Sequence, residues 1–222
     1  MSKLLLPALG LGGASAAAAG GYALFSGRDN PSLPQEETFR TKYAKAILQD
    51  SDSLWDSKFT SLERGNQHTH PKLAQAKTQS SSNKETTKAL HKQACREIYN
   101  SKVEGTTYLS DFQSYCSKNF KDATTSSKQW IADGHNQTEK WNPKLTALST
   151  LGEDQKGQLD GDLKTLKETL SKVSNSSWED SHRQSLKQWC DESQKAIFMG
   201  EEDEKFIQVG LYTVSSLSYF QQ

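Results

Sequence analysis

Apolar residues along this chain recur mostly at intervals of three and four, the spacing that places them on one face of a helix. Phe39, Tyr43 and Ile47 step by four, and Trp55, Phe59 and Leu62 follow at i, i+4, i+7. Leu90, Ala94 and Ile98 continue the pattern, then Tyr108, Phe112 and Tyr115. Trp141, Leu145 and Leu148 repeat the four-three step, and Leu159, Leu163, Leu166, Leu170 and Val173 sustain it. Leu186, Trp189, Cys190 and Ile197 close the series. No stretch alternates apolar and polar residues with β-branched enrichment, so the pattern predicts an all-α fold, an elongated bundle of several helices. Ser177 to Asp180 has the spacing of a capping box, with Asp in place of Glu or Gln, and Pro143 after Asn142 suits a first helical turn.

The run from Leu4 to Phe25 departs from this pattern, for it carries no charge and is flanked by Lys3 and by Arg28-Asp29. As a helix it rises about 33 Å, enough for a hydrocarbon core of about 30 Å. Gly and Ala dominate its middle, so it is long but only moderately apolar. Two readings stay open. An uncleaved transmembrane or signal-anchor segment over 1–26 is favoured, because Tyr22, Leu24 and Phe25 resume the apolar run after the alanines. A secretory signal would use Lys3, the stretch Leu4 to Leu11, and Ala14-Ser15-Ala16 as its cleavage site. The positive-inside rule keeps Lys3 inside. The expected location is therefore the cell membrane, single-pass, with the body extracellular, or secretion after cleavage. Gly10 to Ser15 lacks the full G-x-G-x-x-G and the βαβ context of a nucleotide loop. Gly12, Ala16 and Gly20 have a helix-packing spacing that an alanine-rich run produces by chance, which leaves the oligomeric state open.

Beyond the anchor, Pro31 and Pro34 mark 27–37 as a linker. The rest is written twice. Trp55-Asp-Ser-Lys-Phe-Thr-Ser-Leu62 matches Trp141-Asn-Pro-Lys-Leu-Thr-Ala-Leu148, 86 residues on. Asp111-Phe-Gln-Ser-Tyr-Cys116 parallels Ser185-Leu-Lys-Gln-Trp-Cys190, 74 residues on. The difference falls where the first copy carries a polar insert, Gln75 to Thr87, expected to be an exposed loop or frayed helix. Two duplicated helical modules follow, 38–121 and 122–200, with a C-terminal segment 201–222.

Composition changes the picture in one respect. Only 33% of the chain is hydrophobic, and the N-terminal run takes a disproportionate share, so the body is poor in aliphatics. The 27 basic and 27 acidic residues balance, which removes the disorder signature of high net charge. Neutrality also excludes the basic face of a nucleic-acid binder and a polybasic lipid clamp.

Candidate chemistry is sparse. Cys95 and Cys116 lie about equally far from the turn candidate Gly105, so an antiparallel helical hairpin would let them form a disulfide. In the second copy Thr169 stands where Cys95 does, leaving Cys190 single. The alternative is three buried, reduced thiols. No C-x-x-C and no suitably spaced His completes a metal set with them. His68 and His70, at i and i+2, read as a solvated loop, and His91, His135 and His182 as isolated. The acidic run Glu201 to Glu204 lacks the spaced oxygens of a calcium loop and reads as a turn or helix start. Trp55, Trp141, Trp178 and Trp189 are helix-spaced among aliphatics and read as core. A nucleophile elbow, a Walker loop and H-E-x-x-H are absent, so no enzyme activity, catalytic residue, cofactor or metal is expected.

Several motifs form a recognisable set: the Met-Ser-Lys-Leu opening with its Gly/Ala-rich run, Phe39-Arg-x-Lys-Tyr43, Trp55-x-x-Lys-Phe59 and Cys95-Arg-Glu-Ile-Tyr99. Tyr108-Leu-x-Asp-Phe-x-x-Tyr-Cys116-Ser-Lys and Leu186-Lys-x-Trp-Cys190, followed by Ile197-Phe-Met-Gly, extend the set over nearly the whole chain. Together they resemble the large paralogous families of membrane-anchored proteins in haemotropic mycoplasmas. The resemblance implies a wall-less bacterium, a single N-terminal anchor and a body facing the host. No site residues are established for these families, so none is carried over. The expected function is a surface-exposed membrane protein serving host interaction or antigenic variation. The alternative is a helical binding module for one protein or lipid partner.

Overall fold

The computed structural model describes residues 36–124, 128–152 and 159–216. The expected anchor, 1–26, and nearly all of the linker lie outside the described residues. Among the described residues no helix is long and apolar enough to cross a membrane. The chain is mostly helical, as the apolar spacing predicts.

The first half opens with α1 (Phe39–Lys42), where the Thr38 hydroxyl accepts from the Thr41 amide and begins the turn. A 3₁₀ turn, Ala44–Ala46, leads into α2 (Trp55–Arg64), α3 (Pro71–Gln79) and α4 (Lys84–Asn100). Pro71 occupies the first helical position, where its missing N–H costs nothing, and the Asn83 side chain caps α4 through the Thr86 amide. A loop with Gly105 at φ +72° returns the chain to α5 (Leu109–Asp111). The last turn of α5 widens into a π turn over Phe112–Cys116. Phe39, Trp55, Phe59, Leu62, Leu73, Ala76, Ala94, Ile98, Tyr99 and Phe112 form one core between these helices. The segment Gln75 to Thr87, expected as an exposed loop or frayed helix, is two helix ends joined by a largely exposed turn at 80–83. It carries the end of α3 and the start of α4, and Leu73 with Ala76 anchors α3 in the core.

The second half comprises α6 (Phe120–Ala123), β1 (Lys128–Trp130), α7 (Thr138–Ser149), α8 (Gly161–Leu170), α9 (Asp180–Ser193), α10 (Glu204–Tyr212) and β2 (Val214–Ser216). Phe120, Trp141, Leu145, Leu148, Leu163, Leu170, Leu186, Trp189, Val209 and Tyr212 build its core. β1 and β2 pair antiparallel with Trp130 opposite Val214, an addition to the all-α expectation. Strands of three residues are too short to show alternation. α7 begins one turn earlier than Pro143 suggests, so the proline lies inside the helix. α9 starts at Asp180, where the Glu179 amide donates to His182 Nδ1 at 3.0 Å, so Ser177 is not its cap.

The halves are laced together by backbone. Lys118 N donates to Ala46 O at 2.8 Å, and Phe120 N to Ala196 O at 3.0 Å. Phe198 N returns a bond to Lys118 O at 3.0 Å. Ile197 packs against the first core while its neighbour Phe198 packs against the second, as alternation along extended chain requires.

A body short of aliphatics completes its cores with long cations, whose stems pack while their heads meet carbonyls. Lys58 is almost wholly buried and binds Asp122 at 2.5 Å. Lys144, 86 residues on in the matching stretch of sequence, donates to Leu211 O and Val214 O at 2.9 and 2.8 Å. Lys167 reaches Leu151 O just past α7, satisfying an orphan carbonyl beside that helix end. Arg183 donates to His135 O and Trp178 O at 2.9 and 2.7 Å. Trp55 Nε1 and Trp141 Nε1 each donate to a carbonyl upstream, Gln49 O and Gly134 O.

Candidate functional site

The chemistry-bearing residues converge on the first core. Cys95, in α4, and Cys116, at the end of the π turn, form a disulfide with Cα atoms 5.2 Å apart. Both are fully buried. Helical phase puts Cys95 on the inner face with Ala94 and Ile98, and the turn at Gly105 brings Cys116 back beside it. Cys190, in the second core, is a free buried thiol whose pKa burial pushes up.

His91 joins the two cysteines, one helical turn before Cys95 and on the same face. Its Nε2 lies 2.9 Å from Tyr115 O, and its ring meets Trp55 edge-on at 5.5 Å between centroids. Burial pushes its pKa down to about 4, so the ring is neutral near pH 7. One ring nitrogen and the two sulfurs all lie within 4.8 Å of one another. The expectation that no histidine is spaced to join the cysteines is thereby corrected. Sequence spacing held the signal, His91 and Cys95 at i, i+4; what it could not show was that Cys116 returns to that face.

Tyr115 O also lies 3.7 Å from Cys95 Sγ, and Tyr99 Oη donates to Cys116 O at 2.5 Å. These carbonyls are available because a helix end leaves its last carbonyls without partners in the helix. The site is thus a buried cluster of two sulfurs, an imidazole and the carbonyl that the imidazole engages, able to take electrons into a disulfide or, as a dithiol, to offer donors to a soft cation.

A second cluster lies at the start of α3. Asp111, buried, accepts from the Thr69 and His70 amides at 2.9 and 2.6 Å and so orders the loop before Pro71. The His68 ring stacks near Tyr115 and the His70 ring near Tyr108. Among the described residues neither His68 nitrogen has a hydrogen-bond partner, nor has His70 Nδ1, while His70 Nε2 stands 3.4 Å from Glu97. Burial lowers the His70 pKa against the pull of Glu97 and Asp111. The pair sits in a loop, but His70 is buried and His68 half-buried rather than solvated, because each ring packs tilted against a tyrosine and Asp111 holds the Thr69 and His70 amides.

Elsewhere the surface of the described residues carries several grooves, two of them beside helices of the second core. One, of about 360 Å³, runs between α8 and α9 and is walled by Thr165, Ser181, Ser185 and Gln188 over Trp189. The other, of about 380 Å³, lies beside α10, where Ile207 and Leu211 stand half exposed. The acidic run ends as a cap, with Asp203 accepting from the Phe206 amide at the start of α10. No protein-family model, curated protein or solved structure matches the chain.

Proposed function

We propose that the chain is a single-pass membrane protein that displays a stapled helical body outside the cell, for host interaction or antigenic variation. The observation that carries this reading is the uncharged run from Leu4 to Phe25, long enough to span a bilayer and followed by a neutral, highly polar body. The Cys95–Cys116 disulfide supports it, since such bonds persist where the compartment is oxidising. The resemblance to haemotropic mycoplasma surface families points the same way. We read the body as two duplicated modules. In support, Trp55 and Trp141 donate to upstream carbonyls, a buried Lys58 and a half-buried Lys144 follow three residues later, and Leu62 and Leu148 stand in both helices without exposure. No catalytic role is proposed. Protease treatment of intact cells tests the reading: digestion of the body before lysis is expected, and a body protected until lysis overturns it.

A second reading, a helical module binding one protein or lipid partner, is favoured by the exposed pair Ile207 and Leu211 on α10. Replacing both with Ser should abolish capture of such a partner and leave the helical signal intact.

A further inference from the structure

The disulfide accounts for two of the three donors gathered in the first core but gives no role to the third. His91 brings a neutral imidazole to the place where the two sulfurs meet, inside a core with almost no exposure at any of the three residues. We propose that in the dithiol form of the chain Cys95, Cys116 and His91 bind one Zn²⁺, so that zinc and the disulfide are mutually exclusive occupants of one place.

The donor set fits this ion. Two sulfurs and one imidazole nitrogen are the soft and borderline ligands that zinc takes, at about 2.3 Å for sulfur and about 2.0–2.1 Å for nitrogen. The three donors already stand within 4.8 Å of one another while the sulfurs are bonded. Opening that bond needs only a modest separation to reach the edge of a tetrahedron. Tyr115 O, which accepts from His91 Nε2 at 2.9 Å in the disulfide form and lies 3.7 Å from Cys95 Sγ, stands beside the set; once the imidazole proton sits on Nδ1, Nε2 is freed for the ion and this carbonyl offers a fourth, oxygen donor. The π turn keeps Cys116 and this carbonyl together, the kind of local widening found at functional positions in helices.

Charge selects among soft cations. Zn²⁺ with two thiolates and a neutral imidazole is uncharged, as a site walled by Trp55 and Phe59 requires. A monovalent ion with the same ligands would leave a net negative charge in the core. The balance is simple. Two thiols lose two protons to solvent, two Zn–S bonds form, and no electrons move. Oxidation by a disulfide-class oxidant removes an electron pair from the two thiolates, forms the S–S bond and releases Zn²⁺. The dithiol is the state in which the chain is synthesised, so no reductant is needed to reach it. Because the donors are buried, the ion enters before the core closes, and binding is coupled to folding. This inference does not depend on where the body is displayed.

The full chain, refolded with a phosphine reductant and ZnCl₂ and then freed of excess metal, is expected to retain one Zn²⁺ per chain by native mass spectrometry. The disulfide form is expected to retain none. His91→Gln should weaken retention by more than about tenfold, with far-UV circular dichroism reporting that the variant folds. Should that variant fail to fold, zinc X-ray absorption on the unaltered chain decides: two sulfur neighbours and at least one nitrogen or oxygen neighbour are expected. Absence of bound zinc in the dithiol form overturns the proposal. So does retention by the disulfide form, undiminished retention by folded His91→Gln, or a zinc shell with no sulfur or more than two sulfurs.

Discussion

Trp55 opens α2 and Trp141 lies one turn into α7, in stretches of matching sequence, yet the cores built on them are closed by different means. The first core is fastened covalently, Cys95 to Cys116, and buries His91 and His70 in its wall. The second keeps Cys190 as a thiol and is closed by an added helix and strand, α10 and β2, whose last carbonyls are gathered by Lys144. Where the first core uses a cross-link, the second uses more chain. A domain short of aliphatics can reach closure by either route, because a cross-link limits the unfolded ensemble while extra chain adds buried surface.

The comparison is broken most severely at Trp141. With no exposure at this ring, Trp141→Ala should cost about 3–5 kcal/mol in denaturant unfolding. If the halves unfold separately, the loss falls on the second transition alone; a single shifted transition would show that the lacing at Lys118–Phe120 couples them.

Acidification tests the first core. His91 and His70 are bases whose folded pKa values are lowered, so their neutral forms stabilise the fold above the ordinary histidine pKa. That stability is lost as pH falls from about 6.5 toward 4. In the disulfide form His91 alone should forfeit about 3 kcal/mol across that window. Lys92 adds to the penalty on charging it. Around His70, Glu97 and Asp111 oppose the effect and Lys72 supports it. Hydrogen exchange at pH 5 should rise first in α4 and α5, and equal rises in α7 and α9 would contradict a division between the cores.

Replacing Cys95 and Cys116 together with Ala removes a cross-link over 21 residues of sequence and should cost about 3 kcal/mol by unfolding. The loss is expected in amide protection of α4 and α5, with α8 and α9 unchanged. A smaller effect belongs to Lys144→Met, which leaves Leu211 O and Val214 O without their cation. It should cost about 1–3 kcal/mol and loosen β2 first, as read by amide exchange there.

What the sequence revealed and what it hid divide along physical lines. The helices around Trp55, Leu145, Leu163 and Leu186 were legible because burial on one face forces a spacing of three and four. α3 was not, because Leu73 and Ala76 suffice to bury a helix whose other residues read as polar insert. β1 and β2 escaped for want of length. At the site, His91 was legible in principle from its spacing to Cys95. Burial of His68 and His70 was not, since it depends on Tyr108, Tyr115 and Asp111, distant in the chain.

The seating of Ile197 against the first core has a consequence for biosynthesis. Residues 39–116 leave the ribosome well before Ile197, so the first core waits, lacking one wall, while some 80 further residues are made. The edge at Lys118–Phe120, which later meets Ala196–Phe198, is unpaired for the same interval. A neighbouring nascent copy presents the same Ala-Ile-Phe stretch to that edge. Exchange of this segment between chains is thus the natural error of the molecule, and dilution during refolding should suppress it.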